Sequence, residues 1–351
     1  MNRPPGQPRL RISSPAGVLA VVPHLLGFTP QNSLVVIGTG PAAGRVKIAF
    51  RYDLPDPPAA DAAAGIAAHA TGVLARQHLS AAVVAGYGPG PLVTPVADAL
   101  RDAAARAGVE LLDVLRVQDG RFWSYLCREP SCCPAQGVPF DAAAHPAAAA
   151  LADAGLPVLA SRSALAATIA PLTGPAAEAM TGATRRAERV AARLTTRAGQ
   201  QALDGPGLAA VRAAIAAYRD GGTVSSPMRH AWLALVLTRV RIRDDAWARM
   251  DPAHRDAHRR LWTDVVRRAQ PGYVAAPASL LAFTAWQGGD GALANIAIER
   301  ALADTPGYSM ALLLRDALNA GAPPSMATPP MTPDEVTASY NGPATDPSST
   351  S

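Results

Sequence analysis

Cysteine is scarce: three residues in a chain of 351. That excludes a fold stapled together by disulfides. Lysine is scarcer, for Lys47 stands alone among 32 basic residues. Aromatic residues are 5% of the chain and charged residues 17%. The core must therefore be built of alanine, valine and leucine, within an apolar content of 49%. That content excludes a chain disordered throughout. No apolar run is long enough to span a bilayer, because Arg, Asp, Pro or Gly interrupts each one. Met1 to Ser14 lacks the apolar segment of a secretion signal. A cytoplasmic protein with reduced thiols is the expectation. Walker loop, Gly-x-Ser-x-Gly elbow and EF-hand loop are all missing, so no familiar catalytic constellation announces itself.

What is present is arginine, and a net charge of +5. Guanidinium groups suit forked contacts to phosphate and carboxylate. The same abundance of Ala, Arg, Pro and Gly also follows from GC-rich coding. A surplus of five charges over this length points to nucleic acid only where it is concentrated.

The first half alternates strands and helices. Ser33 to Gly38 and Arg45 to Tyr52 read as a strand pair. Ala16 to Leu26 reads as a helix capped by Ser14 with Pro15 in its first turn. Asp61 to Gln77 reads as a helix and Ala81 to Ala85 as a buried strand. Thr94-Pro95 opens a helix that Gly108 ends. Val109 to Val117 and Arg121 to Leu126 flank Asp119-Gly120, a favoured hairpin turn. The second half reads as helices. Within it, Ala294, Ile298, Ala301, Leu302 and Pro306 resemble the second helix of a tetratricopeptide hairpin. Pro271-Gly272-Tyr273 recurs as Pro306-Gly307-Tyr308.

The expected organisation is a flexible N-terminus over 1–10 and an α/β domain with a mixed sheet over 11–141. An Ala/Pro-rich helical connector follows over 142–183. An all-α domain with degenerate tetratricopeptide-like hairpins then occupies 184–320, and a disordered tail 321–351.

Four features bear on chemistry. Cys127, Cys132 and Cys133 cluster in LCREPSCCPAQG, with His145 downstream. Three thiolates and an imidazole suffice for zinc, although Cys-x4-Cys-Cys is not a zinc-finger spacing and adjacent cysteines tend to diverge. The same cluster also reads as a redox pair, or as a loop packed with small sulfur side chains. His254 and His258 share a helix face, but Arg255 stands where a zincin needs Glu, which leaves exposed helix histidines. Gly86-Tyr87-Gly88-Pro89-Gly90-Pro91 lies where open α/β sheets bind ligands, yet its prolines remove donors a phosphate needs. Arg185, Arg186, Arg189, Arg193 and Arg197 form a stripe beside Ala183, Ala187, Val190 and Leu194. That stripe reads either as a solvated face or as a surface for nucleic acid or an acidic partner.

Several segments resemble one family. They are Ile12-Ser13-Ser14-Pro15, then Leu25 to Pro30 running into Ser33 to Val36, and Arg51 to Pro55. Gly120 to Tyr125 with the cysteine cluster, and Trp286 to Pro306, complete the set. Together they resemble the actinobacterial proteins grouped as "domain of unknown function 4192", over roughly residues 10–323. The resemblance implies an actinobacterial, cytoplasmic protein and a cysteine cluster that is a family feature; it implies no activity. The leading expectation is a binding or scaffolding protein that holds a protein partner with its helical half. The alternative is an enzyme or metal/redox protein using Cys127, Cys132 and Cys133, with zinc as the cofactor to test. A third reading is a weak nucleic-acid binder acting through arginine-rich helices. No membrane role is expected.

Overall fold

The computed structural model describes residues 14–40 and 46–341. The expected flexible segment 1–10 and the strand start at Arg45 lie outside the described residues. The chain divides into two compact units between Ala167 and Thr168, and residues 319–322 belong with the first unit. The expected connector is thus split, its helices assigned to different units.

The first unit begins with α1 (Pro15–Leu26), capped by the Ser14 hydroxyl, which accepts from Gly17 N at 3.1 Å. β1 (Ser33–Thr39), β2 (Val46–Asp53), α2 (Ala60–Arg76), β3 (Ala81–Tyr87), α3 (Gly90–Ala107), β4 (Glu110–Gln118), β5 (Arg121–Ser124) and β6 (Val138–Pro139) follow. The six strands form one mixed sheet in the order β2-β1-β3-β4-β5-β6. β1 runs antiparallel to both neighbours, and β3 and β4 are parallel across the α3 crossover. Every residue of β1 is buried. A strand covered on both faces loses the alternation of a half-exposed one, so it reads as the continuous run SLVVIG. Asp119 and Gly120 both have positive φ, as a tight hairpin between right-twisted strands requires.

The alanine content becomes intelligible in the core. Ala63, Ala67 and Ala70 of α2 and Ala97 and Ala104 of α3 pack with Leu34, Val36, Val84 and Val114 of the sheet. Methyl side chains let helices and sheet approach closely, and Leu74, Val96 and Leu100 fill what remains. α3 starts four residues before the expected Thr94. Its cap is Pro89, and Pro91 sits in the first turn, where the N–H that a proline lacks would have no partner within the helix in any case. α4 (Pro146–Asp153) and α5 (Arg162–Ala167) close the unit.

The second unit is helical: α6 (Gly174–Ala198), α7 (Asp204–Arg219), α8 (Pro227–Val236), α9 (Val240–Ala248), α10 (Arg255–Arg268), α11 (Ala275–Gln287), α12 (Gly291–Asp304), α13 (Ser309–Asn319) and α14 (Pro333–Asn341). α11 and α12 form the expected hairpin around Gly288-Gly289-Asp290. The Asp304 carboxylate accepts from the N–H groups of Gly272, Val274 and Ala275 at 2.7–3.2 Å, so the end of α12 caps the start of α11. All thirteen residues of α11 are buried, which makes it the centre of the unit.

The disordered tail expected from 321 is corrected for residues 324–341. They form a 3-10 turn and α14. Val336 is 2% exposed, the Tyr340 hydroxyl donates to Asp244 Oδ2 at 2.9 Å, and the Ala327 carbonyl accepts from Gln287 Nε2 at 3.1 Å. A few well-placed anchors order a segment whose composition alone reads as disordered. Residues 342–351 lie outside the described residues.

Candidate functional site

The cysteine cluster is built on the outer hairpin of the sheet. The Ser124 hydroxyl donates to Asp113 Oδ1 at 2.7 Å and accepts from the N–H groups of Leu126 and Cys127 at 3.2 and 3.0 Å. That small turn ends β5 and swings Cys127 out of the strand, beside Asp113 of β4. The chain then curls. The N–H groups of Cys132 and Cys133 both point to the Glu129 carbonyl, at 3.1 and 2.7 Å. This helical turn holds two adjacent cysteines on one side, contrary to the expectation that they diverge. All three sulfur atoms come within 4.8 Å of one another. Sulfurs bound to one zinc at about 2.3 Å stand about 3.8 Å apart. Shifts of roughly an ångström would close the triad on an ion.

A second layer fixes the loop. Trp123 Nε1 donates to the Ala135 carbonyl at 3.0 Å, and the Arg116 guanidinium lies 3.8 Å from the indole centroid. Arg121 donates to the Gly137 carbonyl at 3.0 Å, and Gly137 N to the Pro134 carbonyl at 2.8 Å. Gly137 has φ +79°, and a Cβ there would stand 2.5 Å from the Trp123 ring. Gly137→Ala is therefore expected to lose about 1–3 kcal/mol from strain and displacement of the indole. Denaturant titration and the reactivity of the three thiols should both register it; unchanged stability and thiol reactivity would mean that Trp123 does not brace the loop.

The sulfurs differ in character. The Cys133 thiol and the Glu129 N–H both donate to the Cys127 sulfur, which holds Cys127 below the ordinary thiol range. Cys133, as the donor to Cys127, is pushed up to about 12. Cys127 thus becomes a thiolate before Cys133 does. Cys132 is exposed and the other two are half-buried, and no disulfide joins them. None of the three belongs to the buried apolar core, which weakens the packing explanation.

His145 is not brought into this group. It caps α4, its Nδ1 accepting from Ala147 N at 3.1 Å. His254 and His258 do not form an exposed pair either. α10 begins at Arg255, so His254 sits in the preceding 3-10 turn beside Asp251, while His258 is 2% exposed. Gly86 at the end of β3 and Gly88 just after it serve packing. A Cβ on Gly86 would stand 2.2 Å from Val93 Cγ1, and Gly88 N donates to the Val117 carbonyl at 2.9 Å. That loop is tied into the sheet.

The five arginines share α6. Met180, Ala183, Thr184, Ala187 and Ala191 are buried on its inner side, against α8. Arg185, Arg186, Arg189, Arg193 and Arg197 are all exposed. Like charges four residues apart each cost a helix about 0.2–0.5 kcal/mol. The stripe contains three such pairs: 185/189, 189/193 and 193/197.

Sequence reasoning missed the buried ionic groups of the second unit. Asp245, with 1% of its side chain exposed, accepts from Arg212 at 2.5 and 3.0 Å and from Arg249 at 2.8 and 3.2 Å. Burial by itself would raise this carboxyl. The two guanidiniums outweigh burial and hold it below the usual carboxylate range. The only hint was the unbroken charged run Arg243-Asp244-Asp245 set between Ile242 and Ala246-Trp247.

Among the described residues, no helix is long and apolar enough to cross a membrane. No curated protein and no solved structure matches the chain. The model of one family, described as "Domain of unknown function (DUF4192)", matches residues 15–325. That span holds the sheet, the thiol triad and most of the helical unit, and the chain belongs to this family.

Proposed function

We propose that the protein binds a soft divalent ion, zinc foremost, through Cys127, Cys132 and Cys133, and presents it with one coordination position open. The observation that carries this reading is the convergence of three thiols within 4.8 Å on a loop braced by Trp123 and Gly137. Thiolates select zinc and similar ions over magnesium or calcium. Three protein ligands with a vacant fourth position are the arrangement of sites that take up water or a substrate, whereas purely structural sites are closed by a fourth side chain. His145, engaged as a helix cap, is not that fourth ligand here. Such a site needs reduced thiols, which fits the cytoplasm.

Protein purified under reducing conditions should carry about one zinc per chain, and Cys127→Ser and Cys133→Ser should each lose it. Thiol titration should find the cysteines protected until a chelator is added. Metal-free protein whose three thiols react at once would overturn the reading. A reversible loss of two thiols on mild oxidation, with no metal present, would assign the cluster to redox chemistry instead.

A further inference from the structure

The arginines of the second unit fall into two populations. Arg212, Arg219, Arg239, Arg259 and Arg268 each meet an aspartate, and Asp204, Asp245 and Asp264 are spent on such pairs. On α6 the pattern reverses. Among the described residues, the side chains of Arg185, Arg186, Arg189, Arg193 and Arg197 make neither an ion pair nor a hydrogen bond. The one carboxylate in their midst, Glu188, accepts from the Tyr273 hydroxyl at 2.8 Å. Between residues 185 and 197 the chain carries five arginines against one glutamate, a surplus of four in a protein whose whole surplus is five. That local surplus of four lies along the outer side of one helix. That is the concentration which net charge alone cannot reveal.

We infer that the outer face of α6 binds the phosphate backbone of a nucleic-acid duplex without reading its sequence. Three arguments select this occupant. The guanidiniums repeat at four-residue steps, about 6 Å along the helix axis, and so present a line of charge. A backbone with a charge on every nucleotide complements such a line. The exposed face carries no aromatic residue between 185 and 197 and only one exposed large apolar side chain, Val190. A protein partner wants an aromatic or apolar anchor at the centre of its contact, and single strands want stacking platforms. Neither is offered. Finally, arginine forks onto phosphate oxygens in pairs of hydrogen bonds, which fix position without specifying bases. None of these arginines belongs to the thiol triad, so Cys127→Ser should leave duplex binding unchanged.

The experiment is anisotropy of a labelled 20-base-pair duplex DNA of mixed sequence titrated with the full chain at several salt concentrations. Neutralising about four phosphates predicts a log–log salt slope of about −3 to −4, and affinity weakened on the order of 100-fold between 50 and 200 mM salt. The triple variant Arg186→Gln, Arg189→Gln, Arg193→Gln should bring the slope to about −1. Glutamine matches arginine in helix propensity and removes repulsion between like charges, so the variant should melt no earlier than the parent. A second variant, Arg101→Gln in α3, should leave the slope alone. The inference is overturned by absence of binding at 50 mM salt, or by a slope the triple variant does not change. Poly-glutamate competing as well as unlabelled duplex would assign the face to an acidic protein and overturn it too.

Discussion

Acidifying the protein from pH 7 towards pH 4 is expected to cost the helical unit about 3 kcal/mol through one histidine. His258 is buried under α7 and the turn before α10. Burial is the main reason its imidazole is held down to about 4 from 6.5; the Arg219 guanidinium and His254 act in the same direction, and Asp251 opposes them. Arg219 Nη2 stands 3.5 Å from His258 Nε2, and a guanidinium can only donate, so the ring is neutral when folded. The unfolded chain takes up a proton near 6.5 and the folded chain only near 4. Stability is therefore fully present above 6.5 and drains away as pH falls towards 4. A difference of about 2.5 pH units corresponds to about 3 kcal/mol. His230, 1% exposed and also held below its ordinary value by burial, adds in the same sense. The depressed carboxylates Asp245 and Asp251 begin to lose their contribution only as pH falls through their ordinary value of 3.8, so the histidine effect dominates above it. Denaturant midpoints measured between pH 7 and 4.5 should fall steadily in the parent. His258→Gln should flatten most of that fall. A parent whose midpoint is constant over this interval would show that His258 stays hydrated or charged in the fold.

Trp262→Ala is expected to cost more than any other single truncation in this unit, about 3–5 kcal/mol. Trp262 is 0% exposed and heads the fully buried side chains by volume. α10, which carries it, packs against α7, α8 and α11 together, so the void would open where three helices meet and could not collapse onto one neighbour. Its Nε1 has no hydrogen-bond partner among the described residues. Trp262→Phe should therefore be far milder, within about 1.5 kcal/mol, because the lost volume is offset by removal of an unpaired buried donor. Thermal or denaturant unfolding of the two variants side by side checks this. Equal losses for Ala and Phe would mean that the indole N–H, rather than ring volume, holds the site together.

The thiol site was partly legible in the chain. The crowding of all three cysteines within seven positions was visible, as was the strand carrying Trp123 towards them. Their convergence was not, because it depends on the Glu129 carbonyl receiving two N–H groups and on a hydroxyl turn at Ser124. Single backbone bonds of that kind leave no periodic trace. His145 shows the converse: a residue chemically suited to zinc proved to be a helix cap.

By itself the sequence determined the periodic features: the buried runs of β1 and β3, the Asp119-Gly120 hairpin, the αβ-to-α order of the chain and the arginine stripe of α6. Each of these follows from local rules of spacing and turn chemistry, with partners a few residues away. Only the tertiary structure decided which charges are buried and paired, which histidine is neutral, and that residues 324–341 are held down. Those outcomes rest largely on contacts between residues 33 to 96 positions apart, such as Arg212 with Asp245, Arg219 with His258 and Tyr340 with Asp244. Burial is a property of the packed neighbourhood. A histidine or an aspartate carries the same letter in water and in a core, and its charge state is settled only when helices distant in sequence close around it.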